Sequence, residues 1–225
     1  RLPYLRKSDF RRAGLHVDAS QAPFTEKLSR SHYGADMLTL DGNKVGARGA
    51  GCLVAHRTIP LAPLYAGGGQ ERGLRSGTEN VEAIEEFAVS LGEAAKKREE
   101  FKARAAARRA ELVATLSGIT GLSINEGRAA APHIVNLSLP GRDTDYLCTL
   151  LDAAGFAVST KSACESGDGE GSRAVLALTG DPARAAATLR ISFDASIPPG
   201  ELARFARALA GAAAFIDSTA SGAHD

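Results

Sequence analysis

Hydrophobic residues in the first quarter of the chain gather in short runs that end at, or follow, turn-forming residues. The runs over residues 15–17 and 37–40 each end at an aspartate, and a third run at 52–55 follows a cluster of glycines. Short apolar runs between turn residues are typical of buried strands. Because the runs do not alternate with polar residues, they favour a sheet that is covered on both faces. We therefore predict an α/β arrangement for this part of the chain.

A long helix is predicted after a loop at residues 57–78 that is rich in proline, glycine and polar residues. From Glu79 to about Leu116 the apolar residues recur at helical spacing, and Thr78 is the expected N-cap. The apolar positions that carry the periodicity are Val81, Ile84, Phe87, Ala88, Leu91 and Ala95. This helix is predicted to link two domains.

Beyond Gly118 the pattern changes to short strands and shorter helices. The predicted elements are strands at 135–139, 156–159 and 189–193 and helices at 143–154 and 201–216. We therefore expect residues 1–95 to be part of a larger α/β domain. Residues 96–225 are expected to hold the linking helix and a small α+β domain.

Composition and charge narrow the possible functions. The 225 residues carry 27 basic and 26 acidic side chains, and a net charge of +1 does not provide the basic surface that nucleic acids require. No apolar run approaches the roughly 20 residues that a membrane-spanning helix needs. The three cysteines lie far apart, which argues against a disulfide scaffold and favours a reducing compartment, so we expect a cytoplasmic location.

Lys44 and Asp18 lie close to the ends of predicted strands, where α/β sheets place their ligands. Lys44 stands among glycines and fits a Schiff-base nucleophile, although the spacing alone favours a solvated loop lysine. Asp18 fits a partner for the pyridinium nitrogen of a pyridoxal cofactor, and it fits a turn aspartate equally well. Gln21, three residues further, can donate an amide hydrogen bond from the same loop.

The stretch at residues 66–80 combines glycines with Arg72 and Arg75 just before the long helix. Backbone N–H groups at glycines, two guanidinium groups and a helix start are the parts of an anion site. The same stretch fits a flexible surface loop, and the residues do not separate these two interpretations.

Cys164 differs from the other two cysteines because its neighbours are small and polar and include Lys161. It fits a nucleophile with some thiolate character, although the local pattern favours an incidental loop cysteine. Cys52 and Cys148 lie in apolar settings and are predicted to be inert core residues. Arg190 is the polar residue of an alternating strand and faces either solvent, which the pattern favours, or a carboxylate.

Taken in order, these segments resemble the cysteine desulfurases, a branch of the class-V aminotransferases with the fold-type I architecture of pyridoxal-phosphate enzymes. The matching pieces run over roughly residues 14–210 and read HVDASQAP, LDGNKVGARGAGCLV, GGGQERGLRSGTEN, PHIVNLSLPG, STKSACES and LRISF. Chains of this family are much longer at the N-terminus. The resemblance therefore implies the C-terminal portion of such an enzyme, with part of the large domain and the small α+β domain. If the 225 residues were the whole molecule, we would expect exposed strand edges, weak cofactor retention and little activity.

The resemblance implies cofactor-binding roles for four residues. Lys44 would hold pyridoxal 5'-phosphate as a Schiff base, Asp18 would pair with the pyridine nitrogen, and Gln21 would pair with the phenolic oxygen. Thr78 matches a position that reaches the cofactor phosphate of the neighbouring subunit, which implies a homodimer.

The resemblance also implies the reaction. Cys164 would take the sulfur of L-cysteine as a persulfide, and Arg190 together with Asn136 would bind the substrate carboxylate. The products would be L-alanine and a sulfur atom that an acceptor or scaffold protein receives for iron–sulfur cluster or thio-cofactor synthesis. No metal site is implied, apart from contact of Cys164 with a cluster.

Asp41 and Asn43 stand before Lys44 at positions where the family usually has Ser and His. Asp41 must turn away from the phosphate, or a cation must intervene, because like charges repel. Two alternatives stay open. One is a related class-V aminotransferase or lyase that leaves Cys164 unused, and the other is a relative that kept the fold but lost catalysis.

Overall fold

The computed structural model describes residues 14–160, 171–198 and 200–221. The chain divides into two compact units, with the boundary between Phe101 and Lys102. Each unit contains one three-stranded sheet. Among the described helices, none combines the length and the apolar character that crossing a membrane requires.

The sheet of the first unit has the order β1-β2-β3. Strand β1 (His16–Asp18) is parallel to β2 (Met37–Asp41), and β2 is antiparallel to β3 (Gly51–Ala55). The three strands predicted from the apolar runs are confirmed. A four-residue helix, α1 (Arg30–Tyr33), lies in the connection between β1 and β2.

Within the described residues this first sheet has one buried face and one open face, so the predicted cover on both faces is present on one face only. Leu38 and Leu40 of β2 are buried and cluster with Phe87 of the long helix. Successive side chains of a strand point to opposite faces, and Thr39 therefore lies on the other face, opposite Asp18 of β1. Buried and less buried residues alternate along β2, and the run of apolar residues is too short for this alternation to be recognised from the sequence.

The predicted long helix is confirmed as α2 (Val81–Leu116), but its N-cap is Asn80 and not Thr78. The Asn80 Oδ1 atom accepts a hydrogen bond from the Ala83 N–H at 3.2 Å, and the Asn80 carbonyl accepts one from the Ile84 N–H at 3.0 Å. Asparagine is preferred over threonine at the N-cap, where a side-chain oxygen accepts a hydrogen bond from an unpaired N–H of the first turn. Thr78 consequently lies outside the helix.

The second unit contains an antiparallel sheet with the order β4-β5-β6. Its strands are β4 (Ser123–Ile124), β5 (Ile134–Ser138) and β6 (Thr188–Ser192). Helices α3 (Thr144–Ala153) and α6 (Glu201–Ser221) contribute to one apolar cluster with the inner face of this sheet. Its fully buried members include Leu137, Leu147, Leu189 and Leu209.

The strand predicted at 156–159 is wrong, because only Ser159 pairs with β6, through a single bridge to Arg190. The apolar residues of this segment pack into the core instead, and the Phe156 ring lies 5.4 Å from the Phe205 ring. A run of alternating apolar residues is therefore explained here by packing and not by strand pairing.

Two short helices escaped prediction, α4 (Arg173–Thr179) and α5 (Pro182–Ala186). The sequence feature that could have indicated these helices is the N-cap residue that precedes each of them, Ser172 and Asp181. The Ser172 hydroxyl accepts a hydrogen bond from the Val175 N–H at 3.3 Å, and the Asp181 carboxylate accepts one from the Arg184 N–H at 3.1 Å. Proline in the first turn strengthens the second signal.

Candidate active site

Asp18 ends β1 on the open face of the first sheet, with an exposed side chain. The Ser20 N–H donates to its Oδ1 atom at 2.9 Å. Hydrogen bonds from the Ser20 side chain and backbone hold the pKa of the Asp18 carboxyl below its usual value, although partial burial opposes them. Electrostatic interactions with His16 and Lys44 lower this pKa further. Asp18 is therefore a carboxylate anion at neutral pH.

Lys44 lies in a 3-10 turn (Gly42–Val45) that follows β2 directly, and its side chain is exposed. Because β1 and β2 are parallel neighbours, residues that follow the two strands emerge at the same end of the sheet. The charge of Lys44 is the smallest of the influences that lower the Asp18 pKa, so the two predicted residues lie within electrostatic reach of each other without a direct contact between their side chains in the described residues.

The turn that carries Lys44 depends on glycine at position 42. A Cβ atom there would lie 2.4 Å from the carbonyl oxygens of both Ala47 and Ala50. The Gly42 N–H donates to the Ala50 carbonyl at 3.0 Å, and the Ala47 N–H donates to the Gly42 carbonyl at 2.9 Å. These backbone hydrogen bonds form a tight turn, and the turn fixes the position of the Lys44 backbone.

Asp41 caps the same turn. Its Oδ1 atom accepts hydrogen bonds from the backbone N–H and from the side-chain Nδ2 of Asn43, both at 2.9 Å. One carboxylate oxygen is thus occupied inside the turn, and Asn43 is held by it. Asp41 and Asn43 together are a structural pair that orders the residues just before Lys44.

His16 and Thr39 were not singled out from the sequence, yet they border this site. The His16 Nε2 and Thr39 Oγ1 atoms lie 2.7 Å apart on the open face, and Thr39 is the residue directly opposite Asp18. The spacing of His16 and Asp18, two residues apart in one strand, was the available signal for a shared face. Gln21 follows on the exposed turn, and its side chain makes no hydrogen bond within the described residues.

The segment at 66–80 is held by its own contacts. The Arg75 guanidinium lies 5.7 Å from the centre of the Tyr65 ring and donates to the Ser76 carbonyl. Arg72 has a left-handed backbone with φ of 60° and lines an open groove of about 500 Å³, together with Leu53. Thr78 is exposed and makes no hydrogen bond with the described part of the chain.

In the second unit the structure brings Arg190 and Asn136 together, because they are directly opposite each other in β6 and β5. Both are half-buried on the polar face of that sheet. The Arg190 Nη2 atom donates to the Ser159 hydroxyl at 3.3 Å, and the Asn136 Oδ1 atom accepts from the Asn125 Nδ2 atom at 2.7 Å. The pair presents hydrogen-bond donors that suit a carboxylate.

The structure describes two of the three cysteines, Cys52 and Cys148. Cys164, like Lys161, lies outside the described residues. Burial raises the pKa of the Cys52 thiol, and burial with the Asp145 charge raises that of Cys148. Both thiols stay protonated at neutral pH, in agreement with their predicted inertness.

Comparison with known proteins defines the class of fold first. A solved NifS-like protein matches the chain with a TM-score of 0.79 and 28% identity, over 93% of this chain and 55% of that one. A structure of SspA in complex with cysteine matches with a TM-score of 0.59 and 28% identity, over 80% of this chain and 50% of that one. The predicted fold, part of a fold-type I large domain with a small α+β domain, is confirmed.

Sequence comparison gives the family. The cysteine desulfurase of Rhodobacter capsulatus is 35% identical over 199 residues, which are 84% of this chain and 50% of that protein. The model of the aminotransferase class-V family matches residues 5–205, and the chain belongs to this family. The chain spans about half the length of the curated relatives it matches.

Proposed function

We propose that the native protein containing this chain is a pyridoxal-phosphate-dependent cysteine desulfurase. It would convert L-cysteine to L-alanine and pass the sulfur on as a persulfide. The single observation that supports this most is the placement of Asp18 and Lys44 at the same end of two parallel strands, within electrostatic reach of each other. Relatives that are named cysteine desulfurases give the same indication.

The residues of the first unit fit the cofactor by their chemistry. When bound, pyridoxal phosphate acts as an electron sink that weakens bonds at the α-carbon of an amino acid. Asp18, kept anionic by Ser20, would hold a proton on the pyridine nitrogen. The Lys44 amine would bind the cofactor covalently and then move a proton at the substrate α-carbon.

Gln21 and Thr78 complete the proposed cofactor site. Gln21 stands exposed on the turn after Asp18, where its amide can donate to the phenolic oxygen. Thr78 would reach the cofactor phosphate of a second subunit, which makes the protein a homodimer. Exposed apolar residues in the first unit, among them Leu64 and Tyr65, support such an association.

Arg190 and Asn136 would bind the substrate carboxylate. A guanidinium group and an amide nitrogen on one face supply charge and directed donors, and a carboxylate only accepts hydrogen bonds. Substrate binding by a relative is consistent with this choice of substrate, since the SspA structure is in complex with cysteine.

Cys164 would carry the sulfur. Its thiolate attacks the sulfur of the substrate, so that an S–S bond forms and the C–S bond breaks. The electron pair of the broken bond stays on the carbon, which takes a proton and becomes the methyl group of L-alanine. The persulfide then passes its outer sulfur to an acceptor or scaffold protein for iron–sulfur clusters or thio-cofactors. Contact of Cys164 with a cluster, and a cytoplasmic location, belong to the same proposal.

The experiment is a desulfuration assay on the complete native protein loaded with pyridoxal phosphate. We expect L-alanine in stoichiometric amounts with sulfur, a visible absorption band that Lys44→Ala abolishes, and no persulfide in Cys164→Ala. Unchanged desulfuration in Cys164→Ala would favour a related lyase that does not use this thiol. Absence of both the absorption band and the activity would indicate a relative that has lost catalysis.

A further inference from the structure

Side chains on the polar face of the second sheet form a hydrogen-bond network in which the donor and the acceptor of each bond are determined. We propose that Asn125 and Arg184 are positioning residues that make Asn136 present its amide N–H groups, and not its oxygen, to the substrate carboxylate. The inference rests on the proposed function, in which Asn136 and Arg190 bind that carboxylate. Neither Asn125 nor Arg184 touches the substrate in this account.

The donor and acceptor roles in the network are set first at Arg184, because a guanidinium group can only donate hydrogen bonds. Its Nε and Nη2 atoms donate to the Asn125 Oδ1 atom at 3.0 and 2.5 Å, and Nη2 also donates to the Ile124 carbonyl at 2.8 Å. The oxygen of the Asn125 amide must therefore face the guanidinium. Its nitrogen must point the other way.

The amide nitrogen of Asn125 determines the orientation of the next two side chains. Its Nδ2 atom donates to the Asn136 Oδ1 atom and to the Ser138 hydroxyl, each at 2.7 Å. The Ser138 hydroxyl gives its own hydrogen to the Arg184 carbonyl at 2.7 Å, so it accepts from Asn125. The network is thus fixed at two ends, by the guanidinium and by the backbone carbonyl of Arg184.

Burial makes this direction costly to reverse. Asn125 is only 7% exposed and Ser138 is fully buried. A reversed Asn125 amide would set its N–H groups against the Arg184 guanidinium and its oxygen against the Asn136 oxygen. Water cannot easily compensate such mismatches at buried atoms, so one orientation dominates.

Asn136 is left with its amide nitrogen unused. Within residues 14–160, 171–198 and 200–221, this nitrogen has no hydrogen-bond acceptor. Arg190 lies directly opposite, and the three strands of this sheet contain no acidic residue. The free atoms of the pair are therefore all donors beside a positive charge, which suits a carboxylate and disfavours a substrate with an amide or amine in its place.

The test is Asn125→Asp in the complete native protein loaded with pyridoxal phosphate. Aspartate still accepts from Arg184 but has no hydrogen for Asn136, whose amide then reverses and turns its oxygen toward the substrate. We expect KM for L-cysteine to rise about tenfold while kcat stays within about twofold, since a uniform binding interaction is lost. Inhibition by L-alanine should weaken similarly, and inhibition by L-alaninamide, which lacks the carboxylate, should not.

A double-mutant cycle separates positioning from general damage. In an Asn136→Ala background, Asn125→Asp should raise KM no further, because the group through which it acts is gone. Ser123→Ala, on the neighbouring strand β4 and without a side-chain hydrogen bond in the described chain, is the matched control and should leave KM unchanged. Equal effects of Asn125→Asp in both backgrounds, or on L-alanine and L-alaninamide alike, would overturn the inference.

A second variant covers the case in which Asn125→Asp does not fold. Arg184→Met leaves both amides intact but frees their direction, and it should raise KM by a smaller factor, with kcat unchanged. An unchanged KM would overturn the inference. Failure of the proposed function is distinct from either result, because the unmodified protein would then release no L-alanine from L-cysteine.

Discussion

The two units hold the side chains of the proposed sites in different ways. In the first unit, Asp18 and Lys44 are placed by the backbone, at a strand end and in a glycine-dependent turn, and both side chains are exposed. In the second unit, Asn136 is half-buried and its amide is fixed by neighbouring side chains. In the proposed function, Lys44 forms and breaks a covalent bond, which needs freedom of its side chain, whereas the Asn136 amide only binds and benefits from a fixed orientation. The two sites should therefore fail through different kinds of substitution.

Gly42→Ala should have the largest effect on stability, because the added Cβ atom would distort the backbone turn that positions Lys44. The added Cβ would lie 2.4 Å from two carbonyl oxygens, which no side-chain rotation can relieve. We expect the free energy of unfolding to fall by more than about 3 kcal/mol, measured by urea denaturation of the native protein.

Gly92→Ala is the matched control for this substitution. Gly92 lies inside α2, and a Cβ atom there meets nothing within 4 Å. Because glycine is a poor helix former, alanine should raise the free energy of unfolding by roughly 0.5 to 1 kcal/mol. Equal destabilisation by the two variants would contradict the role assigned to the turn.

Asp18→Asn should have the next largest effect, on the reaction and not on the fold. The variant keeps an oxygen for the Ser20 N–H but loses the negative charge that would keep the pyridine nitrogen protonated. We expect kcat for desulfuration to fall about a hundredfold or more, since the electron sink weakens. Asp152→Asn, on the exposed side of α3, should change kcat little; similar losses in both would count against the Asp18 assignment.

Arg184→Leu tests the second unit by removing a side chain from the network. It leaves the buried Asn125 oxygen without its two guanidinium donors. The expected loss in free energy of unfolding is about 1 to 3 kcal/mol, measured by urea denaturation. Arg207→Leu on the exposed side of α6 should stay within about 0.5 kcal/mol of the parent. Tolerance of Arg184→Leu at that same level would show that the network is not a fixed structure.

Ser20→Ala should have the smallest effect and a defined pH dependence. Hydrogen bonds from Ser20 hold the pKa of Asp18 below its usual 3.8, so loss of the hydroxyl should raise this pKa, as followed by NMR titration of the carboxyl. A carboxylate whose folded-state pKa is depressed stabilises the fold above the unfolded-state pKa and loses this contribution as pH falls through the folded-state pKa. The stability difference between parent and variant should therefore be present at neutral pH and vanish in acid. A difference that is constant with pH would contradict the assigned cause.

Much of the fold could be predicted from local pattern. The strands around Asp18 and Lys44 and the helix over Val81–Leu116 follow from short apolar runs and helical spacing. Pattern failed where tertiary contacts decided the outcome. Residues 156–159 pack their apolar side chains into the core instead of pairing as a strand, and the first sheet leaves one face open in the described chain.

The candidate site was predictable only in part. The roles of Asp18, Lys44, Asn136 and Arg190 are predictions from the family resemblance, because the local pattern alone favours solvent for Lys44 and Arg190. The structure places Asn136 directly opposite Arg190 and puts Lys44 within electrostatic reach of Asp18. The network through Asn125 could not be predicted, because it joins residues about 60 positions apart, and no local period reveals such contacts. The role of Cys164 remains a prediction, since this residue lies outside the described part of the chain.

The most direct measurement of the central claim is chemical mapping of the lysine that holds the cofactor. The native protein loaded with pyridoxal phosphate is reduced with borohydride, digested, and analysed by mass spectrometry. We predict that the phosphopyridoxyl group is found on Lys44, and that Asp18→Asn alters the absorption of the unreduced protein without moving the label. A label on another lysine, or no label at all, would contradict the account.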